Sequence, residues 1–193
     1  MTVGSEHTRL IVLRGNSGSG KSSVAKGLRE AYGRGVAWVS QDIIRRTILR
    51  EKESQPGGVN IGLIDQVARY SLNHGYHAVV DGIFYADRYE QMLARLYHDH
   101  LGLSRFYYLD VSIAETLRRH ATRPQATEFG VDHLRDWYRP HDLLATIPER
   151  VVPETSTLQD TITLILADTQ LLQAITQTAP ARCCQRCCQR AGQ

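Results

Sequence analysis

Cysteine is missing from almost the whole chain. Of 193 residues, none before Cys183 is a cysteine. That excludes a disulfide framework and fits a reducing compartment. The four that exist, Cys183, Cys184, Cys187 and Cys188, crowd into one tract. Cys184 and Cys187 have metal-ligand spacing, but no second pair or histidines follow a dozen or more residues on, so a structural zinc site is not expected. Long apolar runs are missing as well. The run near the start covers only residues 10–13, too short for a signal-peptide core or a membrane span. A cytoplasmic location and no membrane partner are the expectations. No stripe of Lys and Arg appears either; the formal net charge is +3 and acidic residues are interspersed. Arg182, Arg186 and Arg190 near the end are too few to argue for nucleic acid, which stays open as a partner but is not favoured. An Asn-Lys-x-Asp guanine motif is absent, which counts against a GTPase switch. Nothing in the sequence bears on oligomeric state.

What is present is an alternation of strand and helix patterns. Short apolar runs at residues 9–15 (RLIVLRG), 36–40, 77–84, 105–111 and 150–152 read as strands. Between them, residues 21–32, 42–51, 61–74, 87–100, 113–123, 132–144 and 157–172 carry helical spacing, with Gly75 as a stop and Pro124 ending the fifth. Alternation of this kind implies parallel strands with helices on both faces. The expected fold is therefore α/β: three layers around a mostly parallel five-stranded sheet. Residues 1–178 read as one domain and residues 179–193 as a flexible Cys- and Arg-containing tail.

The strongest single signal is Gly15-Asn16-Ser17-Gly18-Ser19-Gly20-Lys21-Ser22, a G-x-x-x-x-G-K-[ST] phosphate loop between a strand and a helix. Its glycines let backbone wrap closely around phosphate, and its N–H groups and the following helix N-terminus favour anions. Lys21 suits the terminal phosphates, and the Ser22 hydroxyl suits Mg²⁺. Gly15 to Ser23 are the expected nucleotide-binding residues.

This order of motifs resembles the P-loop kinase superfamily over about residues 9–172. It looks most like the branch with polynucleotide 5′-kinase, chloramphenicol phosphotransferase and zeta-toxin-type kinases. The resemblance implies a P-loop NTPase fold and in-line phosphoryl transfer, with ATP as donor and Mg²⁺ as cofactor. Asp42 and Arg45, in Ser40-Gln41-Asp42-Ile43-Ile44-Arg45, resemble a D-x-x-R acceptor motif in which Asp is the general base and Arg grips the acceptor. Asp81 ends an apolar strand where related kinases place a carboxylate for Mg²⁺ or for the acceptor; the sequence does not separate these roles. Arg119 and Arg123, four apart on one helix face, match the lid arginines, with the lid at about residues 113–130.

The expected function is transfer of the γ-phosphoryl group to a hydroxyl of a small acceptor: an antibiotic, nucleoside or other metabolite. The expected catalytic residues are Lys21, Asp42, Arg119 and Arg123. Asp42, Arg45 and Asp81 serve the acceptor, and Ser22 and Asp81 the metal. Two alternatives stand beside this reading: a polynucleotide 5′-hydroxyl kinase, and a nucleotide-dependent regulatory NTPase without kinase activity.

Overall fold

A computed structural model describes residues 2–51, 58–120 and 131–173. Arg123, residues 121–130 of the expected lid and the tail at 179–193 lie outside the described residues.

Five strands form one sheet: β1 (Arg9–Arg14), β2 (Val36–Ser40), β3 (His77–Asp81), β4 (Leu103–Asp110) and β5 (Glu149–Pro153). Their order is β2-β3-β1-β4-β5, and every pairing is parallel. The helices are α1 (Lys21–Tyr32), α2 (Val59–Asn73), α3 (Ala86–Asp99), α4 (Ile113–His120), α5 (Val131–Trp137) and α6 (Leu158–Thr169).

Alternation along β1 explains the layers. Leu10 and Val12 join a core with Ile64, Ala68 and Leu72 of α2 and Met92, Leu93 and Leu96 of α3. Ile11 and Leu13 join a second core with Val24, Ala25 and Leu28 of α1 and Ile162 and Ile165 of α6. Successive side chains of a strand point to opposite faces, so a strand that is apolar throughout needs cover on both. The arrangement sends the carboxyl ends of β1, β2 and β3 to one edge, where ligands of open α/β sheets collect.

Several elements depart from the sequence expectation, among them the last helix, which ends at Thr169 rather than 172. The stretch expected as a helix over residues 42–51 winds as a π-helical turn, Ile43–Ile48, with Leu49 N–H bonding Ile44 O at 2.9 Å. Periodicity alone does not register one extra residue per turn. The helix expected to reach residue 144 stops at Trp137. Pro140 lacks an N–H and disfavours helical backbone at Arg139, and the chain beyond is bound to other segments. The strand expected to reach residue 84 stops at Asp81, and Phe84 has a positive φ of 44° that turns the chain into α3.

Candidate active site

The phosphate loop leaves β1 at its carboxyl end. Gly15 has φ 135°, and a Cβ there would stand 2.5 Å from Leu109 O, so the position needs glycine for backbone and for space. Gly18 (φ 79°) and Gly20 (φ 103°) are also left-handed, and Gly20 caps α1. Lys21 opens α1 and is buried. Its ammonium points inside the loop, donating to Gly15 O at 2.9 Å, Asn16 O at 2.7 Å and Ser19 Oγ at 3.2 Å. Ser22 and Ser23 follow on exposed positions of the first turn.

Asp81 meets Ser22 below the loop. The register pairs Leu13 with Asp81 and Ser40 with Asp81, so three strand ends lie at one level. Ser22 Oγ donates to Asp81 Oδ2 at 2.8 Å, and Trp38 Nε1 of β2 donates to Asp81 Oδ1 at 2.6 Å. A hydroxyl and a carboxylate are hard oxygen donors. They suit Mg²⁺, which is held by one or two carboxylates with substrate phosphates rather than by an all-protein cage. Among the described residues no group of three or more His, Cys, Asp or Glu side chains gathers as a metal cluster.

Asp42 lies two residues past the end of β2. Its side chain makes no capping bond to the turn that follows. Instead it is 65% exposed and faces two arginines, with Arg45 Nη2 at 3.7 Å and Arg46 Nε at 3.3 Å. Arg45 is buried while Arg46 is half-exposed. The structure thus brings Asp42 and Arg45 together on the carboxyl edge. Asp81 is bonded instead to Ser22 and Trp38.

Arg119 reaches the loop from α4. Its Nη1 donates to Ser19 O and its Nη2 to Glu154 O, both at 3.3 Å. Glu115 holds its Nε at 2.6 Å and also binds the exposed Arg118. Those two guanidinium groups keep the Glu115 carboxyl down at about 2, well below the usual range. The same carboxylate therefore serves both arginines, but only Arg119 also bridges the loop and the β5–α6 connection.

Sequence reasoning passed over a second set of contacts that positions the loop. Arg14, the last residue of β1, is wholly buried. It donates to Phe84 O at 3.0 and 2.7 Å, to Asp142 O at 2.9 Å, and to Glu149 Oε2 at 2.6 Å. Asp142 Oδ2 also accepts from Ala86 N at 3.0 Å, capping the start of α3. Asn16 then clamps the same region: its amide exchanges two bonds with the Arg139 backbone, at 2.8 and 2.9 Å. The Arg139 guanidinium lies 4.0 Å above the Tyr85 ring, and Tyr85 OH donates to Trp137 O at 2.6 Å. Burial pushes the nearby Tyr108 hydroxyl up to about 12. A charge closing an otherwise apolar, doubly covered strand was the available signal for Arg14. Trp38 carried none, because its partner is remote in sequence.

The family model described as AAA domain matches residues 10–141. No curated protein matches the chain. Among solved structures, APE1195 is similar at a TM-score of 0.66 and 18% identity, covering 88% of this chain and 97% of that one. A sugar kinase from Janibacter sp. HTCC2649 has a TM-score of 0.62 and 16% identity, covering 86% of this chain and 98% of that one. The Mycobacterium tuberculosis APS kinase CysC, in complex with AMPPNP and APS, has a TM-score of 0.62 and 16% identity, covering 90% and 99%. At such identities the likeness is one of fold.

Proposed function

The chain belongs to the AAA domain family of P-loop NTPases, and from that premise we propose that it is an ATP- and Mg²⁺-dependent kinase that phosphorylates a hydroxyl of a small molecule. The observation that carries the reading is the arrangement of two carboxylates on one sheet edge. Asp81 is tied to the loop hydroxyl Ser22, and Asp42 stands beyond β2 in contact with Arg45 and Arg46. A simple nucleotide switch has need of the first; a phosphotransferase has need of both. Similar folds include a sugar kinase and an APS kinase, which supports a small acceptor.

Each residue has a task in this reading. The loop N–H groups from Gly15 to Ser23 and Lys21 bind the triphosphate and hold its γ-phosphoryl group in place. Ser22 and Asp81 hold Mg²⁺, which neutralises charge on the β- and γ-phosphates when bound. Arg45 grips a polar or anionic part of the acceptor. Asp42 orients the acceptor hydroxyl and takes its proton as the oxygen–phosphorus bond forms and the bond to the leaving ADP breaks. Arg119, held by Glu115 against Ser19, steadies charge in the transition state, with Arg123 as its partner on the lid. The protein acts in the cytoplasm.

The test is a screen of hydroxylated metabolites, antibiotics and 5′-hydroxyl oligonucleotides with ATP and Mg²⁺, read by ADP formation and product mass. Phosphorylation of a small molecule is the expected result. Phosphorylation of the oligonucleotide alone would make it a polynucleotide kinase. ATP hydrolysis with no phosphorylated acceptor would make it a regulatory NTPase.

A further inference from the structure

Trp38 is the third party at the Ser22–Asp81 pair. It lies on the edge strand β2 opposite Val79, two residues before Asp81 on the neighbouring strand. Its indole reaches along the strand direction and donates to Asp81 Oδ1 at 2.6 Å, while Ser22 occupies Oδ2 at 2.8 Å. Bonds this short to a carboxylate are charge-assisted. The ring face has a neighbour as well: the Arg29 guanidinium lies over it, 5.7 Å from the ring centroid. Ser22 and Arg29 are seven residues apart on α1, so they share one helix face. That face, with Trp38 against it, brackets the carboxylate. Asp81 is buried, with 3% of its surface exposed, so an oxygen that loses its donor has little water to turn to.

We propose that Trp38 is a positioning residue for the divalent metal ion. Its indole N–H engages Oδ1 and fixes the carboxylate plane, which leaves Oδ2 beside the Ser22 hydroxyl as an oxygen donor to the ion. The inference rests on the reading of Ser22 and Asp81 as the Mg²⁺ pair. Donors that orient a metal-binding carboxylate act through it, and their loss typically weakens metal binding by about 10- to 100-fold. A tryptophan that merely fills space and satisfies its N–H would have no such effect.

The experiment uses the full chain and a non-hydrolysable ATP analogue, with affinity measured calorimetrically across Mg²⁺ concentrations. Trp38→Phe keeps an aromatic ring and removes the donor. Its analogue affinity without metal should equal that of the wild type, and the Mg²⁺ concentration giving half of the metal-dependent strengthening should rise about tenfold or more. An unchanged Mg²⁺ dependence overturns the inference. Asp81→Asn is run in parallel. If Asp81→Asn also keeps the wild-type Mg²⁺ dependence, the metal reading itself falls; if only Trp38→Phe keeps it, this inference alone falls. A second measurement needs no variant at position 38. The chain has two tryptophans, Trp38 and Trp137, hence two indole N–H resonances. One should lie downfield and shift when Mg²⁺ is added with the analogue, and in Asp81→Asn it should lie upfield of its wild-type position. Neither indole responding to metal or to Asp81→Asn overturns the inference, even if Trp38→Phe fails to fold.

Discussion

A carboxylate that holds a metal and one that takes a proton need different surroundings. Asp81 is buried and has a donor on each oxygen. Asp42 is 65% exposed and shares one oxygen between two arginines, which leaves it reachable by an acceptor hydroxyl. Asp42→Asn preserves shape but removes basicity. It should lower kcat by about 10²-fold or more with ATP affinity unchanged, as read by steady-state kinetics and a separate binding titration. A wild-type kcat would move the base elsewhere. Arg45→Ala should instead raise the acceptor KM. Lys21 differs from both, because its ammonium is inside the loop with three oxygen partners. Lys21→Ala should remove transfer and greatly weaken the triphosphate, tested by titrating ATP with Mg²⁺; unchanged activity would overturn the phosphate-loop reading.

At the scale of elements, α4 and α6 do separate jobs. On α4 the side chain of Arg119 joins Ser19 of the loop to Glu154 beyond β5, while that of Arg118 turns outward at 72% exposure. Arg119→Ala should therefore lower kcat, by about 10³-fold or more where such a cation is essential, and weaken nucleotide binding less. Arg118→Ala should stay near wild type. Equal kcat for both variants would make Arg119 a surface charge. On α6 the role is structural. Thr157 Oγ1 accepts from Asp160 N at 3.1 Å and closes the helix start. Thr157→Ala should cost about 1 kcal/mol, seen as a fall of about 2–4 °C in Tm for a protein of this size, with kinetics unchanged.

For the whole molecule the pH response follows from two buried histidines at the end of the sheet away from the loop. His77 Nδ1 accepts from Arg9 N at 3.0 Å, so its neutral ring carries the proton on Nε2 and donates it to Tyr32 OH at 2.9 Å. His100 is placed between Thr8 and Ser104 hydroxyls. Burial, then the nearby Arg9 charge, lowers both to about 4 from the ordinary 6.5. The unfolded chain therefore binds more protons between those values, and stability rises with pH across that window. It is fully present above about pH 6.5 and is lost as pH falls towards 4. Urea midpoints measured from pH 7 to pH 4 should drop through this range, as the unfolding free energy falls by on the order of 1–2 kcal/mol per histidine at pH 5. A flat midpoint would show that the rings are already charged or solvated.

The local readings depend on short spans of chain. Strand periodicity, the glycines of the loop and the alternation of strand with helix are set by backbone sterics and by apolar cover within a few residues, and they were legible in sequence. So was the assembly of Asp42 and Arg45, three residues apart on one turn. The partners of the site were not. Trp38 and Asp81 are 43 residues apart, Arg14 and Phe84 are 70, and Asn16 and Arg139 are 123. No local pattern specifies such pairs, because a hydrogen bond between distant residues depends on strand order and register. The order β2-β3-β1-β4-β5 sets Ser40 and Leu13 on either side of Asp81. Composition determined that the strands would be buried; strand order and register decided which side chains meet at the carboxyl edge of the open sheet, since they bring Leu13, Ser40 and Asp81 to one level.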